Sequence, residues 1–301
     1  MKPELIIIRY GEIGLKANFT RKNFENIFQN NIRNALKQEN IVFQLYKTRA
    51  RFFVYTKEIK KTIAILQKIF AIKSISPCFK TDSSIESMKN LALRIIKNKI
   101  NKSTSFALKV KREGNHNYTS QDVAIILGDE IVKKTNAKVD LSTPDIKLFI
   151  EIRQNNAFFF FEKIFGPGGL PLGSQGNILS IIKSKNNSFL AAWYMTRRGC
   201  TPVFLILDKK FTKDVKKFMD KWYINTEIVE CKNNNLIDNI NKVAFGYKCD
   251  AVVTDHFLTG DDAKVLEEIA KIKNSINVPL LQPLISMDND FIKEKSKEID
   301  L

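Results

Sequence analysis

The stretch LSIIKSKNNSFLAAWYMTRRG, Leu179–Gly199, decides how the second half of this chain folds. The apolar run Ile178–Ile182 has the length and composition of a strand buried on both faces. An apolar helix follows, from about Phe189 to Arg197. A strand that passes directly into a helix is the usual place to hold a phosphate, because the unpaired N–H groups of the first helical turn point into the connection. Here the connection reads Lys183-Ser184-Lys185-Asn186-Asn187-Ser188 and contains no glycine. It is a nucleotide loop, a ruined one, or only a connection.

Working outward, strands are expected at 177–182, 202–207, 225–229, 250–254 and 279–282, with a helix between each pair. That alternation predicts a doubly wound parallel α/β domain over 177–301. Just before it, GPGGLPLGSQG (Gly166–Gly176) is turn chemistry. It precedes a strand rather than joining a strand to a helix, so it reads as a structured linker, 166–176, and not as a phosphate cradle. The N-terminal part is α+β. ELIII reads as a strand, RYGEIGLK as a turn, and residues 21–38 as a helix with Phe24, Ile27, Phe28, Ile32 and Leu36 at helical spacing. IVFQLYK and RFFVYT pair as strands around Thr48-Arg49, a helix spans 58–71, and IKSISP closes a ferredoxin-like pattern. A second unit follows, with helices at 84–99 and 120–135 and strands at FALKVKR, IKLFIEI and AFFFFEKI. We divide the chain into 1–59, 60–165, the linker, and 177–301, the first pattern running on past residue 59.

Charge divides the chain the same way. The net charge is +17, and residues 1–175 hold 30 Lys and Arg against 15 Asp and Glu, while residues 176–301 hold 19 against 17. A genome rich in lysine codons explains abundant lysine but not this asymmetry. A basic half beside a near-neutral one fits a module for a polyanion, and nucleic acid fits better than a membrane surface, since no segment is a basic amphipathic helix with exposed aromatics. No apolar run approaches the roughly 18 residues of a membrane span. The start, MKPELIII, has too short an apolar run for a secretory signal, so a cytoplasmic protein is expected. Cys78, Cys200, Cys231 and Cys249 stand far apart, which predicts reduced, mostly buried thiols and no zinc site.

Several residues carry candidate chemistry. In FALKVKREGNHNYTS, Lys109 and Lys111 fall on one strand face with Arg112 at the strand's end, a set of cations suited to a phosphate backbone. Edge strands also carry lysine merely to discourage pairing. His116 lies in a polar loop without nearby Cys or His and reads as a surface or RNA-contacting residue. Phe158–Phe161 read as core on both sheet faces rather than as a stacking platform. Cys231 follows a parallel strand at its carboxyl end, where α/β proteins place their chemistry, and is the candidate nucleophile or sulfur carrier. Cys200 and Cys249 read as structural.

RYGEIGLK, RKNFENIFQNNI, FALKVKR, KVDLSTPD, IEIR and GPGGLPLGSQG occur in the order and spacing of the tRNA 4-thiouridine sulfurtransferase family, and the chain resembles that family from residue 5 to about 295. The resemblance implies a ferredoxin-like domain, a THUMP RNA-binding domain and an adenylating PP-loop domain. It implies that the first two hold the acceptor end of a tRNA, and Arg153 of IEIR joins Lys109, Lys111 and Arg112 as an RNA-binding candidate. Family members activate a uridine oxygen with ATP and magnesium and deliver sulfur from a cysteine persulfide, which calls for a cysteine desulfurase-type donor. Cys231 falls within about one position of that cysteine. A homodimer is an open alternative to a monomer.

The family's SGGxDS aligns with Lys183–Ser188, where only the last serine matches. Ile181, Ile182, Lys183, Ser184 and Ser188 occupy the nucleotide-binding positions. A pyrophosphate cradle needs backbone N–H groups that glycine allows to approach closely, and Lys185 puts a long side chain there instead. Asn187 replaces an aspartate that helps hold a metal-bound nucleotide. A second motif, TGESLGQ in the family, is TDHFLTG here, with Asp255 and His256 where the glycine and glutamate bordered the nucleotide. Two readings follow. One is a tRNA-binding protein with a degenerate PP-loop. The other is an active sulfurtransferase in which Lys183 and Lys185 replace backbone contacts by side-chain charge. A protein-only scaffold ignores the charge distribution and ranks last.

Overall fold

The computed structural model describes residues 1–48, 50–231, 235–260 and 262–300. In chain order the elements are β1 (Leu5–Tyr10), α1 (Asn18–Gln38), β2 (Gln44–Thr48), β3 (Arg51–Tyr55), α2 (Ile59–Leu66), β4 (Ile72–Asp82), α3 (Ile85–Ile96), β5 (Ser105–Glu113), α4 (Ser120–Thr135), β6 (Lys138–Val139), β7 (Ile146–Arg153), β8 (Asn156–Phe160) and β9 (Ile164–Phe165). There follow β10 (Asn177–Ile182), α5 (Asn186–Arg197), β11 (Thr201–Ile206), α6 (Thr212–Trp222), β12 (Ile228–Glu230), α7 (Leu236–Gly246), β13 (Cys249–Val253), α8 (Ala263–Ser275), β14 (Leu280–Leu281) and α9 (Asn289–Glu298). Contacts divide the chain into two compact units. The first holds residues 1–9, 36–67 and 73–165, and the second holds 10–35, 68–72 and 166–301.

In the first unit the strands form one sheet in the order β2-β3-β1-β4-β8-β7-β5-β6, with β9 also on β4. The eleven-residue β4 is the shared strand of two α+β halves. Alternation along β7 and β8 sorts side chains to two faces. Leu148, Ile150, Ile152, Ala157 and Phe159 pack against Met88 and Leu91 of α3 and Leu127 and Ile131 of α4. Phe158 and Phe160 turn the other way and join Leu5, Ile7, Phe53 and Cys78 in a second core. The phenylalanine run is thus core on both faces, and it ends as a strand at Phe160 rather than continuing to Ile164. The sheet curls strongly around the second core. Phe53 on β3 stacks on Phe158 on β8 at 4.8 Å. Those strands are three steps apart, which in a flat sheet is about 14 Å. The curl leaves a concave face that carries β2, β3 and the far ends of β5 and β7.

The second unit is built on a parallel sheet ordered β12-β11-β10-β13-β14. Connections run outward from β10 in one direction and then return past it, so the order reverses between β10 and β13. The carboxyl ends of those two strands form the switch-point crevice of a doubly wound sheet. Cores fill both faces. Phe189, Leu190 and Trp193 of α5 pack with Phe204 and Phe218 on one side, and Leu179, Ile181, Leu205 and Ile240 pack on the other. The helix after β10 starts at Asn186, three residues earlier than the apolar pattern predicts, with Lys185 at its N-cap and the Ser188 N–H donating to the Ser184 hydroxyl just before it. The Gly166–Gly176 segment is a strap over the end of α5. Gly169 sits at φ +78°, and a Cβ there would lie 2.1 Å from the Arg197 carbonyl oxygen. Leu170 N–H donates to that same carbonyl.

Candidate nucleic-acid interface and nucleotide loop

On β5 of the first unit, Lys109 and Lys111 are exposed and pair in register with Phe149 and Glu151 of β7, so their side chains share the concave face. The strand runs one residue beyond Arg112, which is exposed and alternates to the opposite face. Arg112 donates to the Gly114 carbonyl at 3.1 Å and faces His116 Nδ1 at 3.4 Å. His116 Nε2 lies 2.7 Å from the Gln154 carbonyl, so the ring donates there and accepts from Arg112, which accounts for both nitrogens without a metal. Lys163 adds a further cation, 4.3 Å over the Phe149 ring. Burial first, then the charges of Arg9 and Lys111, lowers the Lys163 ammonium.

Arg153 lies differently. It is 9% exposed and is held by Glu113 at 2.7 Å and Glu151 at 3.2 Å. The sequence ranks it with the free cations, and the structure encloses it in an ion-pair network. The sequence does hold a signal for this, since Glu151 and Arg153 are two residues apart on a strand and so share a face.

In the second unit, the loop after β10 and the loop after β13 meet at the switch-point crevice. Lys183 N–H and Ser184 N–H donate to Ser188 Oγ at 3.1 and 3.0 Å. The hydroxyls of Ser184 and Ser188 in turn donate to one oxygen of Asp255, at 2.7 and 2.6 Å. Asp255 is 4% exposed. Lys183 Nζ lies 3.5 Å from the Asp255 carboxylate, 3.1 Å from His256 Nε2 and 3.2 Å from Glu268 on α8. His256 is buried, with Nδ1 2.9 Å from Thr254 Oγ1. Ile181 and Ile182 spend their side chains in the two cores. Cys231 extends β12 by one hydrogen bond, to the Ile206 carbonyl at 3.0 Å, and is half-buried against the core on the α7 side of the sheet. The residues that follow it, 232–234, lie outside the described part of the chain, as does Arg49 at the β2–β3 turn. Among the described residues no group of three or more His, Cys, Asp or Glu could hold a metal, and no helix is long and apolar enough to cross a membrane.

A curled α+β sheet with a basic concave face, followed by a doubly wound α/β unit with a loop at its switch point, defines a THUMP-type protein fused to a PP-loop-type domain. Family models match in that order: the ThiI ferredoxin-like domain over residues 5–76, the THUMP domain over 82–162, and thiamine biosynthesis protein (ThiI) over 208–301. A probable tRNA sulfurtransferase of Methanocaldococcus jannaschii is 32% identical, over 98% of this chain and 87% of its own length. One from Methanobrevibacter smithii is 29% identical, over 99% and 87%. The chain belongs to the tRNA sulfurtransferase family. Among solved structures, PH1313 from Pyrococcus horikoshii Ot3 superposes with a TM-score of 0.83 at 28% identity, covering 99% of this chain and all of that one. A 4-thiouridine synthetase solved as an RNA complex with bound ATP has the same fold, with a TM-score of 0.80 at 22% identity over 99% of this chain and 85% of that one.

Proposed function

We propose that this protein is a cytoplasmic tRNA-binding member of its family that holds the acceptor end of a tRNA on its basic first half, and that its PP-loop-type unit does not adenylate the RNA. The observation that carries the second part is Asp255. Its carboxylate accepts both serine hydroxyls of the loop where phosphate oxygens would sit. An incoming triphosphate meets a buried negative charge, and the loop's N–H groups of residues 183 and 184 are already satisfied by Ser188. The residues present do not fit ATP with magnesium. The RNA-binding part rests on the exposed Lys109 and Lys111, on the charge asymmetry, and on relatives that are probable tRNA sulfurtransferases.

A second reading keeps the activity. It is favoured by Lys183, a loop cation of the kind that binds phosphate by side-chain charge, and by Cys231 at the carboxyl end of β12. On that reading the protein takes sulfur from a cysteine desulfurase-type donor. Calorimetric titration with Mg-ATP, with and without bulk tRNA, separates the two. Binding of tRNA without ATP supports the first reading. Micromolar ATP binding refutes it and makes Cys231 the residue to test for sulfur transfer.

A further inference from the structure

A carboxylate buried among arginines stands at the centre of the first unit. Glu151, on β7, is 5% exposed. Its Oε1 accepts from Arg51 Nε at 2.7 Å and Arg153 at 3.2 Å, and its Oε2 accepts from Arg9 Nε and a terminal nitrogen at 3.3 and 3.2 Å. Each arginine is tied again elsewhere. Arg9 donates to Ser76 Oγ at 2.9 Å and lies 4.6 Å over the Phe160 ring, Arg51 donates to the Ala50 carbonyl, and Arg153 reaches Glu113. Burial pushes the Glu151 carboxyl up, but the guanidiniums of Arg51, Arg9 and Arg153 outweigh it and hold the group below the ordinary glutamate value.

The connections cross the sheet. Arg51 is on β3 and Glu151 on β7, four strand steps apart along β3-β1-β4-β8-β7. Flat, those strands would stand about 19 Å apart, beyond the combined reach of the two side chains. The ion pair exists because the sheet is curled, and it resists flattening. On the concave face lies a cavity of about 510 Å³ whose lining includes Tyr46 and Tyr55 from β2 and β3 and Phe158, Asn156 and Gln154 from the β7–β8 end. Its opposite walls belong to the two parts of the sheet that Glu151 ties together.

We propose that Glu151 is a positioning residue for RNA recognition: by tying β1 and β3 to β7 it sets the width of the concave face, and it holds Arg153, which lines the cavity, in an ion pair rather than on a phosphate. The proposal rests on the RNA-binding reading. The aromatic and amide side chains that line the cavity suit an unstacked base. Glu151 therefore acts on unpaired nucleotides through geometry. Duplex phosphate contacts, carried by Lys109 and Lys111, are left alone.

The test is Glu151→Gln, which keeps the shape and removes the charge. Two hairpins with one stem are compared, one blunt and one with a short unpaired 3′ tail, each titrated over a range of salt. The tailed hairpin is expected to lose about ten-fold in affinity and the blunt one less than about two-fold, with the salt slope unchanged. A loss shared equally by both hairpins, or no loss, overturns the proposal, because global destabilisation does not select for a tail. A slope that falls by about one also overturns it, since Arg153 would then be a direct phosphate ligand. If Glu151→Gln does not fold, Arg51→Met opens the β3 part of the tie with the carboxylate still paired to Arg9 and Arg153, and it must give a loss that is again selective for the tail. Failure of the wild-type protein to bind either hairpin refutes the RNA-binding reading itself, which is a different result from a variant that binds as the wild type does.

Discussion

Asp255→Asn tests whether the nucleotide loop is closed by the protein itself. The substitution keeps the shape of a side chain that is 4% exposed and removes its charge. Two hydroxyls now donate to one carboxylate oxygen, at 2.6 and 2.7 Å. Such charge-assisted bonds contribute about 1.5–3 kcal/mol each, against about 0.5–1.5 for neutral ones, so the change costs about 1 kcal/mol per bond. The Lys183 contact at 3.5 Å adds little, because that lysine side chain is 34% exposed and solvent screens it. The total is about 2 kcal/mol, which at a typical urea dependence is a midpoint shift of about 1 M. The assay is intrinsic. Both tryptophans, Trp193 and Trp222, lie in the second unit at 3% and 7% exposure, so their fluorescence follows the unfolding of that unit. A shift below about 0.3 M would refute the closed loop, since it would mean the carboxylate contributes almost nothing. A second arm uses the wild type with Mg-ATP. A ligand at a hundred times its Kd stabilises by about 2.7 kcal/mol, and a rise of that size would show the crevice open to nucleotide.

Three further outcomes are expected. Changing Lys109 and Lys111 to Ala should leave the fold intact and weaken tRNA binding, with the salt slope falling by about 0.9 for each lost duplex phosphate contact; an unchanged slope would remove these lysines from the interface. Thiol labelling of native protein should modify Cys231 first, since Cys78 and Cys249 are buried and burial pushes their thiols up to about 12 and about 11; early labelling of Cys78 would contradict its place in the core. The Glu151 carboxyl is held low in the folded protein, so its stabilisation is present above the ordinary glutamate range and is lost as pH falls through the folded value. Urea unfolding followed by circular dichroism from pH 7 down to pH 3 should show that loss, and Glu151→Gln should flatten it.

Most long elements were legible from the period that burial imposes, but the helix expected over 58–71 ends at Leu66 and the strand expected over 225–229 is Ile228–Glu230. The helix Ser120–Thr135 matches its sequence expectation, and so does the strand Asn177–Ile182. The misses are local chemistry. The first turn of α5 is polar, Asn186-Asn187-Ser188, with the Ser188 N–H on the Ser184 hydroxyl, and hydrophobic spacing does not register it. The two-residue strands β6 and β9 carry too few residues for any period. Arg153 shows a deeper limit. A cation at a strand end reads as free until strand pairing sets Glu113 opposite it. The meeting of Lys183 with Asp255 needed strand order, because only β10 beside β13 brings positions 72 residues apart to one crevice.

On the proposed reading, the closed loop also bears on how an unused site can persist. A phosphate-binding loop leaves backbone donors and a helix start unpaired so that a ligand can take them, and without the ligand those groups cost stability. Here Ser188 takes the two loop N–H groups, Asp255 takes the serine hydroxyls, and Glu268 and His256 flank the Lys183 ammonium. On the proposed reading, these side chains do for the fold what bound nucleotide does for an active loop, so the second unit stays folded without it. The stability of the second unit is then independent of nucleotide, while the first unit keeps its exposed lysines, its curl and its charge excess. Restoring SGGxDS at 183–188 alone should leave ATP unbound, because Asp255 still occupies the crevice. Restoring it together with Asp255→Gly is the combination that should bind, and tight binding by the loop-only variant would show that Asp255 does not close the site.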